Sequence, residues 1–172
     1  MLKLIGSLLV IGSTSLIGIY YSRVFFERLQ QIRDFQYAFT MLESEIVYSS
    51  MPLSEALECV SLKSKSPIKE FFYAFSNKLL KKETEGIVEG FKETLSEFQK
   101  EIKLSKEEID TIISFLKSLE SSDMEGQKIN FNITMKKFEG FEKKAEVEVV
   151  KNEKLYKYLG VCSGILIVII LI

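Results

Sequence analysis

The chain of 172 residues contains no histidine and no tryptophan, and it has only two cysteines and two prolines. The missing histidine removes the commonest metal ligand and the commonest general base near neutral pH. Cys59 and Cys162 are too few for a disulfide framework or a cysteine-rich zinc site. The 23 basic and 24 acidic residues leave no basic excess, which argues against a nucleic-acid partner. The scarcity of proline is typical of long helices.

Two uncharged segments lie near the ends of the chain. Residues 4–22 carry no charged side chain, and a helix of that length approaches the thickness of a hydrocarbon core. Residues 158–172 are also uncharged, although this segment is short for a full span unless the bilayer thins. We therefore predict an N-terminal transmembrane helix over 1–22 and a C-terminal transmembrane segment over 158–172. A cleaved signal peptide is the alternative for the first segment, but no clear small-residue cleavage site follows it.

Basic residues flank both segments on the side of the central region. Arg23, Arg28 and Arg33 follow the first segment, and Lys151, Lys154 and Lys157 are among those that precede the second. The positive-inside rule then places residues 23–157 in the cytoplasm. The expected location is a cell membrane, with the lipid bilayer as a partner and the central domain cytoplasmic.

The central region carries helical patterns only. Apolar residues recur every three or four positions over 29–46, 53–60, 68–80, 87–102 and 109–119, as expected of helices with one buried face. No run has convincing strand character. We predict an all-α fold, an antiparallel helical bundle over 23–157 flanked by the two membrane segments.

Several residues predict where these helices begin. Pro52 and Pro67 suit the first turn of a helix, where a missing N–H is tolerated, and Thr84 is expected to open the next helix. Ser105 and Glu108 have the spacing of a capping box. The stretch Ser122-Asp-Met-Glu125 predicts the start of a final helix.

That final helix carries a pattern close to a heptad seam, formed by Phe131, Met135, Phe138, Ala145 and Val149. Such a seam motivates an alternative function as a membrane-anchored, self-assembling coiled-coil scaffold without an ATPase partner. A homo-oligomer is accordingly among the expected assemblies.

Charge is segregated along the central region. Residues 83–125 contain 12 acidic and 5 basic side chains, a net charge of −7, whereas residues 126–157 contain 8 basic and 5 acidic ones, a net charge of +3. The acidic stretch is interpreted as a solvated face or as a docking surface for a basic partner. The basic stretch leads toward the second membrane segment, where anionic lipid headgroups would attract it.

Motifs that carry chemistry are missing. The nine glycines form no phosphate-binding loop, and a serine or cysteine nucleophile would have no histidine to activate it. Glu55 and Glu58 share a helix face, and a carboxylate-based hydrolase that also uses Glu43 is a third hypothesis. Solvated faces, caps or docking contacts explain these acids better. We predict no catalytic residue, no cofactor and no metal site.

Four stretches of the sequence match the signature of one known family. They are the opening Met1-Leu-Lys-Leu-Ile-Gly6, then Leu42-Glu-Ser-Glu-Ile-Val-Tyr48 with Pro52-Leu53 and Glu55-Ala-Leu57, then Leu119-Glu-Ser-Ser-Asp123 with Gln127, and finally Asn152-Glu-Lys-Leu-Tyr-Lys-Tyr-Leu-Gly160. In order and spacing they resemble the stage III sporulation protein AB family, and the resemblance covers nearly the whole chain. Ser49, Met51 and Gly126 depart from the residues that the family usually carries there, which affects local helix capping only.

The resemblance implies a bundle similar to the cytoplasmic domains of type II secretion and type IV pilus platform proteins. It also implies a role in the channel complex between mother cell and forespore, in the mother-cell membrane around the forespore. The expected partners are an ATPase similar to stage III sporulation protein AA and other stage III sporulation channel subunits. The residues that carry the resemblance are expected to be structural corners or docking points: Glu43, Glu45, Tyr48, Pro52, Leu53, Asp123, Gln127 and Asn152.

Overall fold

The computed structural model describes the backbone of residues 2–171. Their side chains are described except at 2–5, 7–11, 15, 18–22, 153, 157, 160, 161, 170 and 171. Six α-helices and a π-helical turn form this part of the chain: α1 (Leu2–Glu43), the π-turn (Ser44–Tyr48), α2 (Leu53–Lys63), α3 (Ile68–Leu80), α4 (Ile87–Glu97), α5 (Lys106–Ser121) and α6 (Met124–Leu171). The prediction of an all-helical fold is confirmed for these residues, which include no strand.

The chain divides into two compact units. The terminal unit combines Met1–Leu29 with Lys143–Ile172, and the central unit is Gln30–Glu142. Within the terminal unit, the Arg28 guanidinium donates a hydrogen bond of 2.7 Å to the Glu148 carboxylate. The rings of Phe25 and Tyr156 stack there with centroids 5.9 Å apart.

In the part of the chain that the structure describes, no helix combines the length and apolar character needed to cross a bilayer. The predicted membrane segments, 1–22 and 158–172, include residues 1 and 172 and many side chains outside the described set. The two segments and their boundaries therefore stay predictions.

Phenylalanine rings build the core of the central unit. Neighbouring rings contact one another mostly edge to face, from Phe115 and Phe131 with centroids 4.7 Å apart to Phe35 and Phe39 at 6.4 Å. The network joins residues of α1, α3, α4, α5 and α6: Phe35, Phe39, Phe71, Phe72, Phe75, Phe91, Phe115, Phe131, Phe138 and Phe141. Edge-to-face pairs add stability beyond the area they bury. The buried face predicted for the helix over 68–80 is thus confirmed, since Ile68, Phe71, Phe72 and Phe75 are buried.

Tyrosines of the central unit lie on its surface instead. Tyr37, Tyr48 and Tyr73 are each more than half exposed. A phenol in the interior would need a hydrogen-bond partner for its hydroxyl, whereas a phenylalanine ring does not. The aromatic residues are thereby sorted, with hydroxyl-free rings inside and hydroxyl-bearing rings outside.

Gln31 ties α1 to the connection between α4 and α5. Its side chain is only 6% exposed. Its amide nitrogen donates to the Glu101 carbonyl at 2.7 Å, and its amide oxygen accepts from the Lys103 N–H at 2.6 Å. One buried side chain therefore satisfies two backbone groups of a segment that has no helical partner for them.

The capping box predicted at Ser105 is confirmed. The Ser105 hydroxyl accepts from the Glu108 N–H, and the Glu108 carboxylate accepts from the Ser105 N–H at 2.6 Å. The Glu108 side chain is fully buried in this role. At least one acidic side chain of residues 83–125, that of Glu108, is therefore buried and does not belong to an exposed acidic face.

The predicted start of α4 at Thr84 is wrong, because α4 begins at Ile87. The Thr84 hydroxyl donates to the Gly86 carbonyl at 3.3 Å and caps nothing. The Glu120 carboxylate, from the end of α5, instead accepts from the Ile87 N–H at 3.2 Å. The predicted continuation to Ile102 is also wrong, since α4 ends at Glu97.

The seam predicted on α6 faces into its own chain. Phe131 and Phe138 are fully buried, where their rings contact Phe115 and Phe39. An apolar stripe that is covered within one chain offers no surface to a second copy. The structure therefore gives no support to a scaffold assembled through this seam.

Two helical glycines of the central unit differ in the space around them. A Cβ on Gly90 would lie 3.0 Å from the Thr84 hydroxyl and 3.3 Å from both Leu79 and Phe75, whereas a Cβ on Gly140 would meet nothing within 4 Å. We expect Gly90→Val to lower the free energy of unfolding by about 1–3 kcal/mol through overpacking. The matched Gly140→Val should leave it unchanged or raise it by a few tenths of a kcal/mol, because valine is the better helix former.

Chemical denaturation followed by circular dichroism measures both variants. Equal stability of the two proteins would show that α4 can shift away from α3 without cost, contrary to the close approach described above.

Candidate docking site

The first corner of the fold follows α1. The π-turn places Val47 in the interior and turns Tyr48 outward, 70% exposed. Ser50 then adopts a positive φ of 52°, an uncommon conformation for a residue other than glycine. The Met51 N–H donates to the Glu45 carbonyl at 2.9 Å, which closes the corner. A π-helical turn of this kind frequently marks a functional position in a helix.

A proline precedes α2, and an ion pair connects the end of this helix to the first corner. Pro52 is the residue before the first helical position, with an extended ψ of 143°. The Glu45 carboxylate lies 3.5 Å from the amine of Lys63, the last residue of α2. An ion pair of this length with an exposed lysine contributes little energy.

The second corner connects α5 to α6. The Asp123 carboxylate accepts from the Gly126 N–H at 2.9 Å and thereby caps α6. The Gln127 amide donates to the Leu119 carbonyl at 3.5 Å, and the Asn130 amide donates to the Ser122 hydroxyl at 3.0 Å. These hydrogen bonds fix the conformation of the turn between α5 and α6, and with it the positions of Leu119 and Met124 on its two sides.

The two corners meet at an open cavity of about 420 Å³, here called the corner cavity. Its walls come from the first corner, from the start of α4 and from the second corner: Ile46, Ser50, Met51, Pro52, Leu53, Ile87, Leu119, Met124 and Gln127. Seven of these nine side chains are apolar, and Ser50 and Gln127 add the only polar ones. This volume falls within the usual range of binding clefts.

A second cavity of about 310 Å³ adjoins the first, since both include Leu53 and Ile87. Its other walls are Ser54, Leu79, Lys82, Thr84, Gly86 and Glu120. Leu53 thus stands between the two cavities at the beginning of α2.

The acidic stretch of residues 83–125 divides into internal and exposed members. Glu120 and Asp123 cap helices, as described above. Glu97 and Glu93 lie 3.0 and 3.5 Å from the Lys78 amine. The hydrogen bond to Glu97, assisted by Glu93, raises the pKa of Lys78 against a smaller opposing effect of desolvation.

Two further acids near the cavities have exposed side chains, Glu85 beside Gly86 and Glu125 beside Met124. The interpretation of residues 83–125 as a solvated face or as a docking surface for a basic partner stays open, although some of its acids cap helices or are buried.

The residues predicted from the sequence fall into three groups. Pro52, Leu53 and Gln127 come together as walls of the corner cavity. Glu43, Glu45, Tyr48 and Asp123 belong to its two corners without lining it. Asn152 lies on α6 in the terminal unit, half-buried.

Other members of the cavity were not singled out as site residues by sequence analysis. Ile46 and Leu119 lie within family-like stretches, and Met51 was noted as a departure from the family. Met124 was noted only as part of a capping stretch, and Ile87 only as part of an apolar helix face.

The acids considered for catalysis have other surroundings. Glu55 and Glu58 are exposed on α2, so no enclosed carboxylate pair is formed there. Among the described residues, no group of three or more acidic or cysteine side chains is arranged to hold a metal ion. Cys59 is half-buried, with its sulfur 3.9 Å from that of Met51.

Comparison with known proteins adds three findings. The sequence model of the stage III sporulation protein AB family matches residues 3–172. Stage III sporulation protein AB of Bacillus subtilis (strain 168) is 29% identical over 171 residues, which cover 99% of each chain. A solved structure of a stage III sporulation protein AB superposes with a TM-score of 0.65 at 27% identity, over 72% of this chain and 97% of that one.

Proposed function

Because this chain belongs to the stage III sporulation protein AB family, we propose that it is a non-catalytic membrane platform of the mother cell–forespore channel. In this function it docks a cytoplasmic, secretion-type ATPase similar to stage III sporulation protein AA and couples it to channel subunits. Residues 1–22 and 158–172 anchor the platform in the mother-cell membrane, and the helical bundle stands on the cytoplasmic side. The uncharged character of these segments and their basic flanks support the anchoring.

The corner cavity is the observation that carries the docking proposal. Residues of two family-like stretches, Pro52-Leu53 and Gln127, lie more than 70 positions apart in the sequence and line the same cavity. Buried apolar pockets with a few polar groups are where binding energy concentrates in interfaces.

Chemistry at the cavity indicates the kind of segment that it receives. The walls accept an apolar side chain, and the Gln127 amide at the edge offers a hydrogen bond. Exposed Glu85, next to Gly86 in the wall of the adjoining cavity, favours a basic residue beside that side chain. The partner segment on the ATPase is therefore an apolar anchor with lysine or arginine flanking it.

Docking at the corner cavity also suggests how a movement of the ATPase reaches the membrane segment. Met124 lines the cavity and is the first residue of α6, which continues to Leu171. A segment that displaces the start of α6 acts on the helix that leads into the C-terminal membrane segment. The platform needs no catalytic residue for this role.

The test compares two leucine-sized surface residues that are changed to lysine. Met124→Lys places a cation on the cavity wall, whereas Leu62→Lys changes an exposed residue of α2 that does not line the cavity. We expect Met124→Lys to weaken ATPase binding at least about tenfold, or about 1.4 kcal/mol. The reasons are repulsion of a basic segment and loss of the apolar contact. Leu62→Lys should bind as the unchanged protein does.

The measurement uses the full-length protein in lipid nanodiscs and the purified ATPase, with the Kd determined at about 50 and about 300 mM salt. Binding should weaken at the higher salt concentration because of the acidic surroundings. Equal Kd values for the two variants would exclude the corner cavity as the docking site. Failure of the unchanged protein to bind the ATPase at either salt concentration would remove the docking proposal itself.

A further inference from the structure

The outer face of α6 carries apolar side chains that the central unit does not cover. Ile129 is 54% exposed and Ile133 is 50% exposed, whereas Phe131, Thr134 and Phe138 on the inner face of the same helix are buried. A helix with a single buried face normally presents polar residues on the opposite side. Two isoleucines one turn apart therefore indicate that this face has a partner of its own.

Six side chains of α6 form a shallow groove of about 420 Å³ along this face, here called the outer groove: Glu125, Lys128, Ile129, Asn132, Ile133 and Lys136. Glu125, Ile129, Asn132 and Lys136 follow one another at spacings of four, three and four residues. This is the spacing of seam positions in a coiled coil, where four residues of one helix surround each side chain inserted from the other. The outer groove thus has the form that receives another helix.

We infer that the outer groove binds the same groove of a second copy of the chain, as an antiparallel pair of helices. The argument is the opposite charge at the two ends of the groove, which begins with Glu125 and ends with Lys136. A two-fold axis passing between residues 130 and 131 places Glu125 of one copy opposite Lys136 of the other. The same axis places Ile129 opposite Asn132 and Ile133 opposite Lys128, whose long side chain extends toward water. A parallel pair would instead place glutamate against glutamate and lysine against lysine.

The contact is small. From residue 125 to residue 136 the helix extends about 17 Å, and one helix face of that length buries much less than the roughly 800 Å² per partner of a standard interface. The pair is therefore weak in dilute solution. Cross-linking of the full-length chain in membranes is the suitable measurement, because it captures a short-lived contact.

The experiment uses cysteine variants of the full-length protein in which Cys59→Ser and Cys162→Ser remove the native thiols. Asn132→Cys places a thiol near the two-fold axis, and Ser114→Cys places one on the exposed side of α5 as the matched control. A short bis-maleimide should link Asn132→Cys into a dimer and leave Ser114→Cys monomeric. Equal dimer yield from both positions would overturn the inference.

Charge exchange then identifies the partner. In the Asn132→Cys background, Glu125→Lys or Lys136→Glu should lower the dimer yield about tenfold, because the two-fold axis repeats each altered pair. The double variant Glu125→Lys/Lys136→Glu keeps every pair attractive and should restore the yield. A double variant that cross-links as poorly as the single ones would overturn the antiparallel pairing. Circular dichroism of each variant verifies that helix content is unchanged.

Discussion

Replacing Phe71 by alanine should lower the free energy of unfolding by about 3–5 kcal/mol. Phe71 is fully buried, and its ring contacts four others, with centroids 5.5 to 6.0 Å away. Its removal leaves a cavity between α1, α3 and α4 that rigid rings cannot fill by collapse. Since small domains are stable by only about 5–15 kcal/mol, this variant should be close to unfolding at physiological temperature.

Tyr73→Ala is the matched control, because Tyr73 is an aromatic residue of the same helix that is more than half exposed. We expect its effect to stay within about 0.5 kcal/mol. Urea denaturation of the full-length protein, followed by far-ultraviolet circular dichroism, measures both variants. A loss below about 1 kcal/mol for Phe71→Ala would contradict the single continuous ring network, since isolated contacts could then repack.

Gln31→Met should cost about 2–4 kcal/mol, although it changes the side-chain volume little. Methionine can neither donate to the Glu101 carbonyl nor accept from the Lys103 N–H, the two bonds that Gln31 makes. A buried backbone group left without its partner costs roughly 1–3 kcal/mol. Because the segment between α4 and α5 is connected to α1 by these bonds, its amides should also exchange with solvent faster.

The neighbouring residue provides the control. Gln30 is exposed and donates only to the Asp34 carboxylate, at 3.2 Å, so Gln30→Met should change stability by less than about 0.5 kcal/mol. Denaturation gives the free energies, and hydrogen exchange reports the protection of the Lys103 amide. Suppose instead that Gln31→Met is as stable as Gln30→Met and that the Lys103 amide exchanges at an unchanged rate. The two hydrogen bonds of Gln31 would then contribute nothing to the free energy of unfolding.

Local signals predicted the parts of the fold that depend on neighbouring residues. The capping box of Ser105 and Glu108 lies within four positions, and the structure confirms it. The predicted start of α4 at Thr84 was wrong because the helix is capped by Glu120, which lies 33 positions away in the sequence. Gln31 likewise reads as one polar residue in an amphipathic helix, and its buried role depends on a loop that lies 70 positions away.

The candidate site shows the same division. Resemblance to a family indicated Pro52, Leu53 and Gln127, but no local pattern states that these residues line one cavity. Ile87 and Leu119 complete its wall from α4 and α5, and their periodicity is that of any buried helix face. The cavity exists because two corners approach each other, and this approach is a property of the packed bundle.

The sorting of aromatic residues has a consequence for spectroscopy. The rings in the core are phenylalanine, there is no tryptophan, and the tyrosines of the central unit, Tyr37, Tyr48 and Tyr73, are exposed. Emission of these three tyrosines should therefore change little when the central unit unfolds, since their phenols are in water before and after. A partner that covers Tyr48 at the first corner would shield it from water. The emission of these three tyrosines should thus report occupancy of the first corner and not the unfolding of the central unit.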